Sequence, residues 1–470
     1  MTAQQRRPRR SANAGLAVAA ITLTLAVTPA AVAHRTSTAH ASGLAAPRSA
    51  VVSRGLLGTW TQTWTDPVKI SEPTDVSENV AIDGSGAGVV VTWSPRDANL
   101  LARIYRPGTG WGDIIDTPES SNSILYVHAA MAPDGQVCLS YEERRYAGNV
   151  MCDAGDGVIG EEFSQDHPIS VSVSSTGVFT AAWWDANDAG ERQVWASQRP
   201  SGAGQTWSEP VQLNTAGHET GIRPQVVPGN AAQASVIWPD RLVADTGPSQ
   251  VVVRTQRPDG TWTDQVPVAP AGMRDVVSAL RPDGDLVVAY RQPHEGPLDV
   301  RERDGMTWGE PVRVRDVSRK VDQRTELTLA VGGREVTALA WEADLHATPK
   351  YRPFVKATVG RSGDFSRPVS LSEGWEYSWL QQVVVTGKGT VVSAWWSDGR
   401  GGSRYLGGYH ARAWTARRGW SRVTAIGGNN TEGWSVVFPA LAIGPSSNAW
   451  YAHVAGQRPT VRVSHTSGTG

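Results

Sequence analysis

A short pattern recurs eight times along this chain of 470 residues, and it limits the fold more than any other feature. Each copy has a polar, usually glycine-containing turn, an alternating apolar run and an aromatic residue where that run ends. The end positions are Trp93, Tyr141, Trp183, Trp238, Tyr290, Trp341, Trp395 and His453. A repeat of about 40 to 60 residues is typical of propellers and solenoids, in which one small structural unit recurs.

Each repeat is predicted to form four short β-strands. The alternation of apolar and polar residues and the Val, Thr and Trp content favour strands over helices. A second extended segment follows each aromatic residue, and a glycine turn then leads to a further aromatic. These turn-following aromatics are Trp111, Trp207, Trp262, Trp308, Phe365 and Trp420. Because four antiparallel strands make one propeller blade, we expect an all-β protein, a β-propeller of four-stranded antiparallel blades.

The number of blades depends on the two ends of the repeat series. The segment with Trp64 resembles a fourth strand that no repeat precedes, whereas the final segment, 460–465, has no fourth strand after it. If the N-terminal strand pairs with the last blade, the ring closes without exposed sheet edges and contains eight blades. Since residues 155–164 contain no tryptophan strand, seven blades are the alternative.

The first 33 residues are predicted to be a secretory signal peptide. A basic start over Arg6–Arg10 precedes a short apolar stretch, and the small residues Ala31–Ala33 form a cleavage site, with residue 41 as an alternative end. We expect a flexible segment over 34–57, one propeller domain over 58–466 and a disordered tail over 467–470. The mature protein is expected to be secreted, monomeric and without a membrane span.

Charge and cysteine content limit the partners and the bound groups that we expect. The whole chain has a formal charge of −1, and the predicted signal peptide contributes four arginines, so the remainder is mildly acidic. A nucleic-acid partner is not expected, because it requires a basic patch. Cys138 and Cys152 lie on neighbouring predicted strands, where a structural disulfide is expected in an exported protein. The histidine and cysteine spacings match no conventional metal site, so we expect neither a metal nor a cofactor.

The glycine turns before the tryptophans carry a resemblance to a known family. Gly204–Trp207 and Gly305–Trp308 read Gly-x-Thr-Trp, which resembles the Asp-box, or BNR repeat, of the sialidase superfamily of β-propellers. The pattern is degenerate, because Gly202 and Arg303 stand two places before those glycines. The Phe/Tyr-Arg-Ile-Pro stretch of sialidases is also missing. The resemblance implies a propeller in which the box is a structural turn away from the active face.

Ligand-binding residues are expected on the loops at one end of the propeller. There the links between blades and the links from second to third strands meet, around a central channel. Arg223, Arg274 and Arg324 precede the first strands of three successive blades, and converging arginines suit a carboxylate. A second group combines aromatic rings with polar groups, as sugar-binding sites do. Its members are Trp375, Glu376, Tyr377, Trp379 and Trp434.

The first hypothesis for function is a secreted propeller that binds a glycan, or another extracellular ligand, through these loops. The alternatives are a sialidase-like exo-glycoside hydrolase, with the three arginines holding a sugar carboxylate, and an extracellular protein-interaction scaffold. Whether the protein is an enzyme stays open, because glycoside hydrolysis requires two suitably spaced carboxyl groups that would come from different blades. The candidate catalytic residues are Asp185, Glu219, Glu342, Tyr377 and Asp398.

Overall fold

The computed structural model describes the chain from Trp60 to Ser467 with gaps between its ranges. The described ranges are 60–72, 76–95, 99–117, 124–143, 148–153, 159–165, 169–220, 223–229, 233–244, 247–281, 283–292, 297–305, 307–314, 327–344, 353–361, 363–372, 378–397, 408–426, 440–455 and 460–467. The predicted signal peptide, the predicted flexible segment and most of the predicted tail lie outside these ranges, so their boundaries stay predictions. In the described ranges, no helix is long and apolar enough to cross a membrane.

The described residues form β-strands almost throughout, with two single 3₁₀ turns at Gly333–Glu335 and Pro445–Ser447. The strands are β1 (Val68–Lys69), β2 (Val76–Ser85), β3 (Gly88–Pro95), β4 (Leu101–Arg106), β5 (Gly110–Asp116), β6 (Ile124–Met131), β7 (Val137–Glu143), β8 (Gly148–Asp153), β9 (Ile159–Gln165), β10 (Ser170–Val173), β11 (Val178–Ala186), β12 (Arg192–Pro200), β13 (Val211–Gln212), β14 (His218–Thr220), β15 (Gln225–Pro228), β16 (Ala234–Leu242), β17 (Gln250–Thr255), β18 (Val266–Ala269), β19 (Arg274–Leu280), β20 (Leu286–Arg291), β21 (Leu298–Asp304), β22 (Thr307–Trp308), β23 (Val312–Arg313), β24 (Leu327–Gly332), β25 (Val336–Asp344), β26 (Pro353–Arg361), β27 (Asp364–Phe365), β28 (Val369–Ser370), β29 (Ser378–Val385), β30 (Val391–Ser397), β31 (Gly408–Thr415), β32 (Gly419–Trp420), β33 (Thr424–Ala425), β34 (Ala440–Ile443), β35 (Ala449–Ala455) and β36 (Thr460–His465).

These strands form eight antiparallel sheets, which are the blades of a β-propeller. Blade 1 contains β2–β5, blade 2 β6–β9, blade 3 β10–β13, blade 4 β14–β18, blade 5 β19–β23, blade 6 β24–β28, blade 7 β29–β33, and blade 8 β34–β36 with β1. The expected fold class and the count of eight blades are confirmed. The seven-blade alternative is wrong, because Ile159–Gln165 pairs with Gly148–Asp153 as the fourth strand of blade 2 although it contains no tryptophan.

The second strand of each blade lies between two neighbouring blades, which explains its nearly continuous apolar sequence. In β3 every residue is buried. Val89 and Trp93 pack into a cluster shared with blade 8, whereas Val90, on the other face, packs into a cluster shared with blade 2. Alternate side chains of one strand therefore enter two different interfaces, and both faces have to be apolar.

The recurring tryptophans pack between blades. Trp183 and Trp207 both contact the cluster between blades 2 and 3, and Trp238 and Trp262 contact the next one. An aromatic side chain buries about 150–250 Å² and so contributes much of the apolar area at each interface. The glycine before the fourth strand has a positive φ, as at Gly260 with 85°, where a side chain would be strained. The Gly-Trp turns are thus structural elements of the blades.

The N-terminal residues supply the fourth strand of blade 8. Val68 pairs with Val463 in antiparallel register, and Trp64 forms a β-bridge with Thr466. The N–H of Val461 donates to the Ser71 hydroxyl at 2.8 Å. The first and last strands of the described chain therefore share one sheet.

Blade 2 contains the disulfide. Cys138 and Cys152 stand directly opposite each other on β7 and β8, and their sulfur atoms are bonded. Both cysteines are buried in the cluster between blades 2 and 3. This bridge lies within one blade, so it reinforces a local hairpin and does not join distant parts of the chain.

Candidate functional site

One end of the propeller, which we call the loop face, carries the candidate side chains that the structure describes. Because the strands are antiparallel, each second strand ends beside the start of its first strand, as Asp240 does opposite Thr220. Two clusters of described residues lie there. The channel-mouth cluster consists of His128, Glu142 and Arg223, and the blade 3–4 seam is built around His218 and Asp240.

An insertion in the first strand of blade 4 positions Arg223. Thr220 pairs with Asp240, and Gln225 pairs with Ile237, so the four residues 221–224 stand opposite only two residues of β16. Four residues cannot follow the path of two within a ladder. Arg223 therefore lies between β14 and β15, outside the regular ladder with β16.

Arg223 contacts a blade that is not its neighbour. Its Nη1 lies 3.9 Å from Oε2 of Glu142, one residue before the end of the second strand of blade 2. Blade 3 separates these two blades, so their side chains meet where the blades converge toward the axis. The Arg223 side chain is 30% exposed and that of Glu142 only 8%. A partly exposed guanidinium therefore lies beside a buried carboxylate at the mouth of the channel.

Burial controls the protonation of the other two members of this cluster. Desolvation raises the pKa of Glu142, and the charge of Arg223 opposes that rise. Desolvation lowers the pKa of His128 to about 3, with a second contribution from Arg223. The His128 Nε2 atom is buried and has no hydrogen-bond partner. Arg223 is thus the charged group that this cluster presents to solvent.

The blade 3–4 seam contains a histidine held by a buried aspartate. Nδ1 of His218 lies 2.6 Å from Oδ2 of Asp240, and Nε2 of Gln265 donates to the same oxygen at 2.8 Å. Nε1 of Trp238 donates to the other oxygen, Oδ1, at 3.2 Å. Asp240 is 4% exposed, whereas the His218 side chain is 26% exposed. The aspartate is therefore fixed inside the protein, and the imidazole reaches the surface.

Amides of blade 3 complete this seam. Nδ2 of Asn214 donates to the His218 carbonyl at 2.6 Å and to Oε1 of Gln193 at 2.7 Å. Trp184 lies on the same side of blade 3, because it pairs with Val194, which packs into the core between blades 3 and 4. The guanidinium of Arg192 lies 4.7 Å from the Trp184 ring centroid. The seam therefore combines an aromatic ring, amides and an aspartate-bound imidazole.

Most of the predicted binding residues lie outside the described structure. Arg274 starts the first strand of blade 5 opposite Arg291, but its side chain is not among those described. Of the three predicted arginines, only Arg223 has a described side chain. The residues outside the described ranges, or with undescribed side chains, are Arg324, Trp375, Glu376, Tyr377, Trp379, Asp398 and Trp434.

The three described carboxylate candidates lie on different blades. Asp185 stands at the end of β11, where Oδ1 accepts the N–H of Ala186 at 2.8 Å. Glu219 accepts both Nε and Nη2 of Arg241, at 3.0 and 2.6 Å. Glu342 is 3% exposed and accepts the N–H of Leu380, from the first strand of blade 7, at 2.9 Å. Glu219 and Glu342 thus serve contacts within the fold.

The His218–Asp240 pair was missed by the sequence analysis. Each residue lies in a polar segment beside a strand, but 22 positions separate them. The available signal was the antiparallel register of β14 and β16, which places Thr220 opposite Asp240. Within the described residues, no group of three histidine, cysteine or acidic side chains is arranged to hold a metal ion.

Comparisons with known proteins support no closer assignment. No protein family matches the sequence. No curated protein matches it either. Solved structures similar to this chain include a WD40 domain of SCAP from fission yeast, with TM-score 0.49, 9% identity, and 87% and 98% of the two chains covered. The polysaccharide lyase Uly1 has TM-score 0.45, 12% identity, and 88% and 94% covered.

The NanB sialidase from Streptococcus pneumoniae, as a point mutant, gives TM-score 0.39, 9% identity, and 87% and 95% covered. The similar structures thus include glycan-acting enzymes as well as a WD40 domain. At these identities the similarity concerns only the fold. The chain's own sheet order identifies it as an eight-bladed β-propeller.

Proposed function

We propose that this protein is an exported binding propeller whose loop face holds an acidic glycan. The observation that carries the proposal is the position of Arg223, which lies beside Glu142 of blade 2 with 30% of its side chain exposed. A guanidinium binds a carboxylate or sulfate through paired hydrogen bonds. The resemblance of the Gly-Trp turns to the Asp-box of the sialidase superfamily is the reason for choosing a sugar acid as the anion.

Binding is favoured over hydrolysis because the described carboxylates are used elsewhere. Glycoside cleavage requires two carboxyl groups on opposite sides of the bond. Glu219 is held by Arg241, and Glu342 is buried against the backbone of blade 7.

A glycan array tests this proposal with the full mature protein. We expect wild type to bind sialylated, uronate or sulfated glycans, and Arg223→Ala to weaken that binding about 10-fold or more, because a charge-assisted contact is lost. Arg313→Ala is the control, since Arg313 is exposed and pairs with Asp299 on blade 5. Absence of glycan binding by wild type, or an unchanged profile for Arg223→Ala, would overturn the proposal.

A further inference from the structure

The blade 3–4 seam has a fixed polar group that faces solvent. His218 Nδ1 is engaged by Asp240, so the neutral imidazole carries its lone pair on Nε2. Because Asp240 is buried and accepts two further donors, from Gln265 and Trp238, it cannot turn away from the histidine. His218 therefore presents a hydrogen-bond acceptor in one orientation, which is the arrangement that recognises a hydroxyl group.

Exposed apolar side chains lie at the same end of blades 3 and 4 as this acceptor. Leu242 stands opposite His218 in the β14–β16 ladder and is 51% exposed, and Val243 follows it, also exposed. Trp184 is partly exposed on the same side of blade 3. A pyranose ring has both hydroxyl groups and an apolar C–H face. The combination of a fixed acceptor, amides and exposed apolar carbon matches that dual character.

The seam is close to the proposed acidic site. His218 and Arg223 are five residues apart in the chain, a separation of at most about 17 Å for extended chain. A short oligosaccharide spans such a distance. One ligand therefore reaches both sites without any rearrangement of the blades.

We propose that the blade 3–4 seam is a second subsite, which binds a neutral hexose unit of the same glycan. The contacts are made by His218 Nε2 and by the Trp184 side chain of blade 3. This inference rests on the proposed function, since the ligand is taken to be a glycan. Asp240 is a positioning residue that fixes the tautomer of His218. Arg223 selects for charge, whereas His218 reads a hydroxyl group, so the two sites contribute separately to specificity.

The same glycan array, printed with acidic and neutral glycans, separates the two sites. We expect His218→Ala to weaken binding about 3- to 10-fold for every bound glycan whatever its charge, which is the loss of one or two hydrogen bonds. Arg223→Ala should affect acidic glycans only. His465→Ala serves as the matched control, because His465 is a half-buried histidine at the far end of β36.

The outcomes are distinguishable. If wild type binds no glycan, both proposals fail. If Arg223→Ala loses acidic glycans while His218→Ala keeps the wild-type profile, the subsite is wrong and the proposed function stands.

A second measurement needs no ligand: ¹⁵N spectra should show His218 protonated at Nδ1, and this state should be lost in Asp240→Asn. A His218 protonated at Nε2 in the wild type would overturn the inference. Gln265→Ala is a milder variant than Asp240→Asn for the same measurement.

Discussion

The seam between blades 3 and 4 and the seam between blades 7 and 8 each contain a histidine, but the two histidines have opposite environments. In the first, His218 is bound to Asp240 and reaches solvent. In the second, His453 is fully buried between two tyrosines, with ring centroids 5.2 Å from Tyr409 and 5.3 Å from Tyr451. Neither His453 ring nitrogen has a hydrogen-bond partner. The histidine is thus partnered and accessible in the first seam, and enclosed without a hydrogen-bond partner in the second.

The difference shows which of the two seams can bind a ligand. Burial lowers the pKa of His453 to about 3, with Arg462 as the second cause, so this histidine carries no charge near neutral pH. Burial likewise raises the pKa of Tyr451, with Tyr409 as the second cause. Groups in this state fill space in the interface, and their desolvation costs free energy. They cannot contact a ligand unless the two blades separate. In the blade 3–4 seam, by contrast, the His218 imidazole is accessible to a ligand.

The largest expected effect is acid sensitivity from His453. Its pKa is depressed in the folded state, so the unfolded chain binds more protons below about pH 6.5, and stability is lost as the pH falls toward 3. His453→Phe should remove this contribution, which at pH 4 is roughly 3 kcal/mol. Urea unfolding of both proteins at pH 7 and pH 4 measures it. An equal loss of stability in both proteins would contradict the enclosed state of His453.

The next effect concerns the opposite seam. Asp240→Ala leaves His218, Gln265 and Trp238 without their shared acceptor, and the Trp238 donor is buried. We expect a loss of roughly 2–4 kcal/mol in unfolding free energy. Glu219→Ala is the control, because its partner Arg241 is exposed and such an ion pair contributes about 1 kcal/mol or less. Similar losses in the two variants would mean that the seam is not ordered around Asp240.

The smallest expected effect has the opposite sign. Tyr451→Phe removes a buried hydroxyl that has no hydrogen-bond partner. Because that group is desolvated without compensation, its removal should leave stability unchanged or increase it by about 1 kcal/mol. Thermal unfolding at pH 7 measures this change. A clear destabilisation would reveal a partner for the hydroxyl, such as an enclosed water molecule, and would make the two seams alike.

The repeated features of the fold were predictable from sequence. The aromatic at the end of each second strand and the tryptophan after each glycine turn follow from local alternation and turn chemistry, which neighbouring residues determine. Blade 2 was harder, since Ile159–Gln165 forms its fourth strand by backbone pairing alone. Backbone pairing needs no tryptophan, so the composition of that segment concealed it.

The candidate site was predictable only in part. Arg223 was identified from its place before a first strand, but its contact with Glu142 joins residues about 80 positions apart across an intervening blade. Nothing in a periodic pattern indicates which irregular residues meet near the axis. Glu342 was considered as a catalytic candidate because it follows an aromatic residue, whereas its actual contact is an N–H group of the next blade. Only three-dimensional register distinguishes these cases.

The pairing of Val68–Lys69 with Thr460–His465 has a consequence for biosynthesis. Because the two strands are nearly 400 residues apart, blade 8 cannot be assembled until β36 has left the ribosome. Earlier blades have time to fold while β1 waits without its partner strand. That interval is when a nascent molecule is most exposed to joining its strands with those of another copy.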